Sequence, residues 1–424
     1  MNTPDPRPAP AAQQLDTPMS EQDDFPQRRV TTRQLFKGLS WLDRLLSVLI
    51  LLAMVIGVLI GKFVPNTKAI LAGANLDGVS IPIVVGLLVM MWPILTKVQY
   101  ERFGRIFSTS HIWKHLAISL VLNWLIAPFI MLALAWATLP DQPTYRTGVI
   151  MVGLARCIAM VMIWVHLAQG DIDYCAILVI VNSVLQIALY SPMSLLFVNI
   201  ISREDALRLE YGKTAIAVLI YLGIPLAAGV VTRFAAIALL GRHRFETVFL
   251  PCFGPLSLLG LLYTIIVICA EQATRILDNI GLVFRTAVPL ALYFVIMWVG
   301  TFALAYYFNH KRGAARGYSY ETGVVQAFTT ASNNFELAIA VCVAVYGVDS
   351  DQALAATIGP LVEVPILLIL THVALRLRAT LTWDATDEVD IEAAPLPLVA
   401  DPSATPARPS DPKKSRLSSD TNEK

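Results

Sequence analysis

Apolar stretches of about 20 residues recur along almost the whole chain, and no other feature limits its fold so severely. A helix of that length crosses the ~30 Å hydrocarbon layer of a bilayer. The chain has 424 residues, 56% of them hydrophobic and only 15% charged. A soluble domain of this size would need more charge to cover its surface. The expected fold is therefore all-α, a polytopic integral membrane protein. Ten spans are expected, at approximately 46–64, 79–96, 115–137, 147–167, 174–198, 214–234, 251–270, 286–307, 322–346 and 353–375.

Loop charges orient these spans. Arg28, Arg29, Arg33 and Lys37 precede the first; Lys97, Arg102, Arg105 and Lys114 follow the second. Arg233, Arg242 and Arg244 follow the sixth, and Lys311, Arg312 and Arg316 the eighth. The positive-inside rule makes that side cytoplasmic, with both termini on it. Residues 1–40 lack a signal-peptide shape, and residues 379–424 are acidic and then rich in Pro, Ser and Lys. Both are read as disordered cytoplasmic tails around a transporter domain at 41–378. The net charge of +1 gives no reason to expect a nucleic-acid partner.

Ten spans divide into halves of five, about 41–200 and 201–378. An odd number per half inserts the second half upside down. The fourth and ninth spans correspond: each carries a polar cluster at membrane depth, Arg156-Cys157 in one and Ser332-Asn333-Asn334-Phe335-Glu336 in the other. In each, a glycine and two aspartates follow one helix later, as "GDID" at 170–173 and "GVDSD" at 347–351. The next span again holds internal polar groups, Asn182, Ser183 and Gln186 in one half and Glu363 in the other. Such a pattern is the trace of two inverted five-helix repeats, with spans 4 and 9 broken where they cross. Transporters built this way bind substrate near the midplane, where half-helix ends face the ligand. Charged groups at that depth cost about 2.5–3.5 kcal/mol on insertion scales, so two matched clusters read as two walls of one site.

Cys157 is the most specific chemical handle. A cation such as Arg156 beside a thiol favours the thiolate, and a soft thiolate prefers a soft ligand. Cys175, Cys252, Cys269 and Cys342 read as small hydrophobes. No Cys pair has zinc or disulfide spacing, and no metal or other cofactor is expected. Glu336 and Glu363 are carboxylates at membrane depth, where acidic groups relay protons or pair with cations. An ion pair with Arg156 is the structural alternative for either. His166 and His372, near span ends, are further proton-transfer candidates, with an interfacial structural role as the alternative. Glu363 and His372 would fall on roughly opposite helix faces, and no HExxH or serine-nucleophile motif occurs, so an enzyme is not expected.

The segments "GLLVMMWPILTKVQYE", "ARCIAMVMIW", "GIPLAAGVVTR", "FGPLSLLGLLYTIIV" and "ASNNFELAIA…IGPLVEVP" together resemble the Acr3-type arsenite efflux permeases of the bile-acid/sodium symporter-like superfamily. The resemblance runs from about Leu39 to Arg376. It implies a ten-helix carrier in the cytoplasmic membrane that exports arsenite, with antimonite as a second candidate, by antiport with protons. It places the family's essential cysteine on Cys157 and its essential acidic residue on Glu336, with Glu363 as the second intramembrane glutamate. Neutral As(OH)₃ has a soft centre for one thiol and hydroxyls for Asn333 and Asn334. The chain departs from the family pattern at Val165-His166, which bears on fine substrate preference. A sodium-coupled organic-anion symporter of the same superfamily is the alternative, but it leaves Cys157 without a purpose. The expected partners are arsenite, protons and the lipid bilayer; a homo-oligomer is left open.

Overall fold

In the computed structural model, the residues described are 46–71, 75–76, 79–102, 110–158, 160–203, 209–278, 280–312 and 319–383. The expected tail at 1–40 lies outside them, as does the tail beyond 383.

Among the described residues, helices joined by turns and short extended breaks make up the structure, with one two-residue antiparallel pairing, Asn75–Leu76 with Val79–Ser80. We number the main helices α1 (Leu46–Phe63), α2 (Ile81–Lys97), α3 (Trp113–Thr138), α4 (Pro143–Leu154), α5 (Met160–Leu167) and α6 (Ile172–Ile201). There follow α7 (Tyr211–Leu240), α8 (Arg242–Glu271), α9 (Ile280–Arg312), α10 (Tyr320–Ala331), α11 (Phe335–Tyr346) and α12 (Asp351–Thr380). Among the described residues, α3, α6, α7, α8, α9 and α12 are long and apolar enough to cross a membrane.

The surface confirms the solvent. Large apolar side chains face outward along the helices, among them Leu51, Leu59, Val231, Leu259, Phe284 and Ile369. Arg156, Asn182, Gln186, Asn333, Asn334 and Glu363 are buried instead. Water would penalise so much exposed apolar surface, whereas lipid does not. The chain is a polytopic helical membrane protein.

Two groups of helices pack most closely. Helix α8 packs on α1 and α2, and α2 on α7. Helices α3, α4, α9, α10, α11 and α12 form the other group, with α12 lying against α4, α9 and α11. Polar contacts tie the ends. At one end Arg285 on α9 donates to Asp141 in the α3–α4 turn (2.8 Å), and Thr144 donates to Asp351 (2.8 Å). Hydrogen bonding from Arg285 holds the Asp141 carboxyl down at about 2. At the other end Arg378 donates to Gln169 (2.6 Å) and Glu321 (2.7 Å), joining α12 to the ends of α5 and α10.

The glycine–aspartate motifs prove to be helix stops and starts. Gly347 ends α11 with φ +89°, a conformation that favours glycine. The Asp171 carboxylate accepts from Asp173 N and Tyr174 N and so caps α6. Ser350 caps α12 through Ala353 N (3.2 Å).

Helix α12 runs past the expected boundary at 378 to Thr380. Trp383 then packs edge-on against Phe302, Tyr306 and Tyr320. Ordered packing therefore reaches into the segment expected to be a disordered tail. Deleting residues 384–424 should leave stability and transport unchanged. A deletion that begins at 382 should lower the melting temperature of the purified protein, because it removes an aromatic anchor. Equal melting temperatures for the two truncations would refute this.

Candidate functional site

Helix α4 ends at Leu154 and α5 starts at Met160; α10 ends at Ala331 and α11 starts at Phe335. Both breaks are extended: Ala155 has φ −84°, ψ 121° and Ser332 has φ −88°, ψ 150°. They meet. Arg156 and Asn333 form an antiparallel backbone bridge, and Asn334 N donates to Ala155 O (3.1 Å).

Each helix end leaves orphan backbone groups, which lipid cannot satisfy. Polar side chains supply the partners. The Asn333 amide donates to Val152 O (2.9 Å) and Ala155 O (3.1 Å). Tyr190 donates to Met151 O (3.0 Å), and the Arg156 guanidinium donates to Gly153 O. Arg156 N donates to the Gln186 side chain (3.1 Å). On the other break, Tyr293 donates to Thr330 O (3.0 Å) and accepts from Arg156 Nη1 (3.0 Å). Asn334 caps α11 by accepting from Leu337 N (3.0 Å).

These bonds use only part of the polar capacity present. Arg156 Nε, Asn333 Oδ1, Asn334 Nδ2 and Glu363 Oε1 are buried without a hydrogen-bond partner. The backbone N–H of Asn333 approaches the Glu363 carboxylate, and Glu336 lies close enough to Glu363 to act on it electrostatically. Buried polar groups are rarely left unpaired, so donors and acceptors concentrated at one crossing mark a place for a polar ligand or water.

Glycine 359 makes the close packing possible. A Cβ there would lie 1.8 Å from the Phe335 ring, which leads α11. Glu363 sits one turn further along the same face of α12, beside the crossing. Gly359→Ala should force the α11–α12 contact apart, at a typical overpacking cost of about 1–3 kcal/mol. A lower melting temperature is the expected readout; wild-type stability would show that the ring moves freely aside.

Glu336 is half-buried and lines a cavity of about 200 Å³ between α2, α5 and α8. Met90, Met160 and Met162 contribute thioethers to its wall, with Ile158, Ile163, Leu258 and Leu261. Cys157 is buried, directly before Ile158. Cys175, at the start of α6, is within electrostatic range of Cys157.

The structure thus gathers Arg156, Asn333, Asn334 and Glu363 at one crossing, with Cys157 and Glu336 on the chain beside it. Among the described residues the Arg156 guanidinium bonds Tyr293 and Gly153 O rather than a carboxylate. His166 is exposed in the last turn of α5, and His372 lies beyond Glu363 on α12, more than two helical turns along, and bonds Leu368 O (2.8 Å). Sequence reasoning missed Tyr190 and Tyr293, which satisfy the broken ends. The available signal was a tyrosine far from the interfaces where that residue usually sits. It also missed the methionine-lined cavity, which three separate segments create.

Known proteins resemble this chain over most of its length. The family described as Sodium Bile acid symporter family matches residues 84–279. An arsenical-resistance protein Acr3 of Corynebacterium glutamicum is 40% identical over 344 residues, covering 80% of this chain and 90% of the relative. One of Alkaliphilus metalliredigens is 31% identical over 352 residues, 81% of this chain and 94% of the relative. An uncharacterized transporter of Synechocystis sp. is 30% identical over 370 residues, 82% of this chain and 91% of the relative. The chain therefore belongs to the Acr3 family of arsenical-resistance membrane transporters, within the wider group of sodium/bile-acid symporter-like proteins.

Proposed function

We propose that this protein exports arsenite across the cytoplasmic membrane in exchange for protons, with antimonite as a second substrate. The observation that carries the reading is the crossing of the two helix breaks, where Arg156, Asn333, Asn334 and Glu363 keep unpaired polar atoms in a buried place. Its polar groups and the nearby Cys157 thiol match the two chemical faces of As(OH)₃. The hydroxyls suit the Asn333 acceptor and the Asn334 donor, and the soft arsenic suits sulfur. One thiol holds the substrate without trapping it. Arg156 supports the break by bonding Gly153 O and Tyr293.

The architecture behind this reading is two inverted repeats of five spans, with spans 4 and 9 broken. Basic loops place Lys97, Arg233 and Arg312 on the cytoplasmic side, and both termini with them. The cavity beside Glu336 then opens toward the cytoplasm, since Lys97 ends α2 there. Apolar thioether walls admit a neutral hydroxide, and Glu336 exchanges its proton with that side. Glu363 shares the proton work as its neighbour. The carrier alternates between this arrangement and one open to the outside, and a bound substrate shifts the balance only by binding the two states differently.

The test is expression in a host lacking its own arsenite exporters. Cells carrying the protein should hold less arsenite and tolerate more of it than vector controls. Equal cellular arsenite at equal expression would overturn the reading.

A further inference from the structure

The two helix breaks are held by one device, used twice. Gln186 on α6 accepts from Arg156 N (3.1 Å), across a separation of 30 residues. Glu363 on α12 stands at the same separation after Asn333, whose backbone N–H approaches its carboxylate. Arg156 and Asn333 are themselves the two residues of the bridge between the breaks. Gly170 and Gly347 keep the same register, with Arg156 and Asn333 equally far before them and Gln186 and Glu363 equally far after. Residues 153–186 thus align on 330–363 without a gap, and Cys157 falls on Asn334.

The anchors differ in their chemistry. The Gln186 amide is fully buried and engaged at both ends, since its Nε2 donates to Asn182 O on the same helix (3.4 Å). Glu363 keeps Oε1 without a partner. An amide has no proton to exchange, so the anchor of the first break has a single state.

Gln186 grips the backbone just before the thiol. The peptide joining Ala155 to Arg156 is planar, so fixing its two ends fixes the whole unit. Its carbonyl accepts from Asn334 N (3.1 Å) and from the Asn333 amide (3.1 Å), and its N–H donates to Gln186. Cys157 follows directly after Arg156. Without Gln186 the buried Arg156 N–H would lose its acceptor where lipid offers none, and the peptide would be held from one side only. We infer that Gln186 is a positioning residue for transport: by holding this peptide from α6 it sets where the Cys157 thiol stands at the crossing. The inference deepens the reading of Cys157 as the arsenic ligand and rests on it.

The experiment reads the thiol without arsenite. In the purified full chain, alkylation of Cys157 by N-ethylmaleimide is followed by mass spectrometry of its peptide. A thiol so buried reacts only as the break opens. Gln186→Met keeps the volume and removes the acceptor; it should speed alkylation at least about fivefold, the opening that loss of one hydrogen bond gives. Gln186→Glu restores an acceptor, as Glu363 supplies in the other half, and should return alkylation to the wild-type rate. Ser183→Ala removes another buried hydrogen bond of α6, from Ser183 to Val179 O (2.7 Å), and should leave the rate unchanged. Should Gln186→Met not fold, Gln186→Leu removes the same acceptor and serves for the same comparison. A wild-type rate in the variant without the acceptor, an equal rise in Ser183→Ala, or a fast rate that persists in Gln186→Glu would each overturn the inference. Protection of Cys157 by added arsenite is measured separately: its failure in wild type would refute the arsenic-ligand reading, whereas the alkylation rates decide on Gln186.

Discussion

Cys157→Ser should reduce arsenite flux to the level of vesicles without the protein, while the variant inserts and folds as wild type does. Serine keeps nearly the same shape and replaces a soft donor by a hard one. The position is buried, so a misplaced hydroxyl there would cost about 1–3 kcal/mol, which the folding readout would reveal. The lost function therefore reports ligand chemistry rather than collapse. Cys175→Ser is the sharpest control, because Cys175 is the thiol within electrostatic range of Cys157. It should retain transport, as should Cys342→Ser. Flux of Cys157→Ser at the wild-type rate would remove the thiol from the mechanism. Loss in both Cys157→Ser and Cys175→Ser would point instead to a two-thiol site.

Glu336→Gln should bind arsenite and yet lose transport driven by a pH gradient. The carboxylate faces the cavity beside the crossing, and Glu363 lies within its electrostatic reach. Glutamine preserves shape and hydrogen bonding but cannot exchange a proton. A gradient of one pH unit stores about 1.4 kcal/mol per proton, enough for roughly tenfold accumulation of a neutral solute exchanged one for one. With the membrane potential clamped, wild type should approach that ratio and Glu336→Gln should stop at equal concentrations. Glu336→Asp should keep part of the accumulation. Glu363→Gln should be milder, unless the two carboxylates titrate as one unit, in which case it should fail similarly. Measured accumulation ratios for the set decide which carboxylate carries the coupling, and undiminished accumulation in Glu336→Gln assigns it elsewhere.

Much of this site was legible in the sequence because membranes make polar residues conspicuous. Arg156 and Asn333 stand out in apolar surroundings, and each turned out to serve a helix break that lipid cannot satisfy. Asn334 was read as a substrate contact, and its carbonyl is engaged in capping α11; only its amide nitrogen is left over. Sequence marks such a residue as polar and buried but does not say which of its atoms the backbone uses. The aspartates at 171 and 351, read as matching marks of two repeats, sit at the starts of helices. Lys97 was visible only as one orienting charge among many. Its place at a cavity depends on α2, α5 and α8 coming together, and no local pattern reports that. Trp383 was hidden by its neighbours: a polar acidic run follows it, while the aromatic cluster it joins comes from α9 and α10.

The central claim is that neutral trivalent arsenic crosses this protein in exchange for protons. Everted membrane vesicles loaded to a defined internal pH and supplied with radioactive arsenite test it most directly. An acid interior should drive arsenite inward above the external concentration, and collapsing the gradient with a protonophore should release the excess. Accumulation that ignores the pH gradient, or that appears only when a sodium gradient is imposed, would contradict the account.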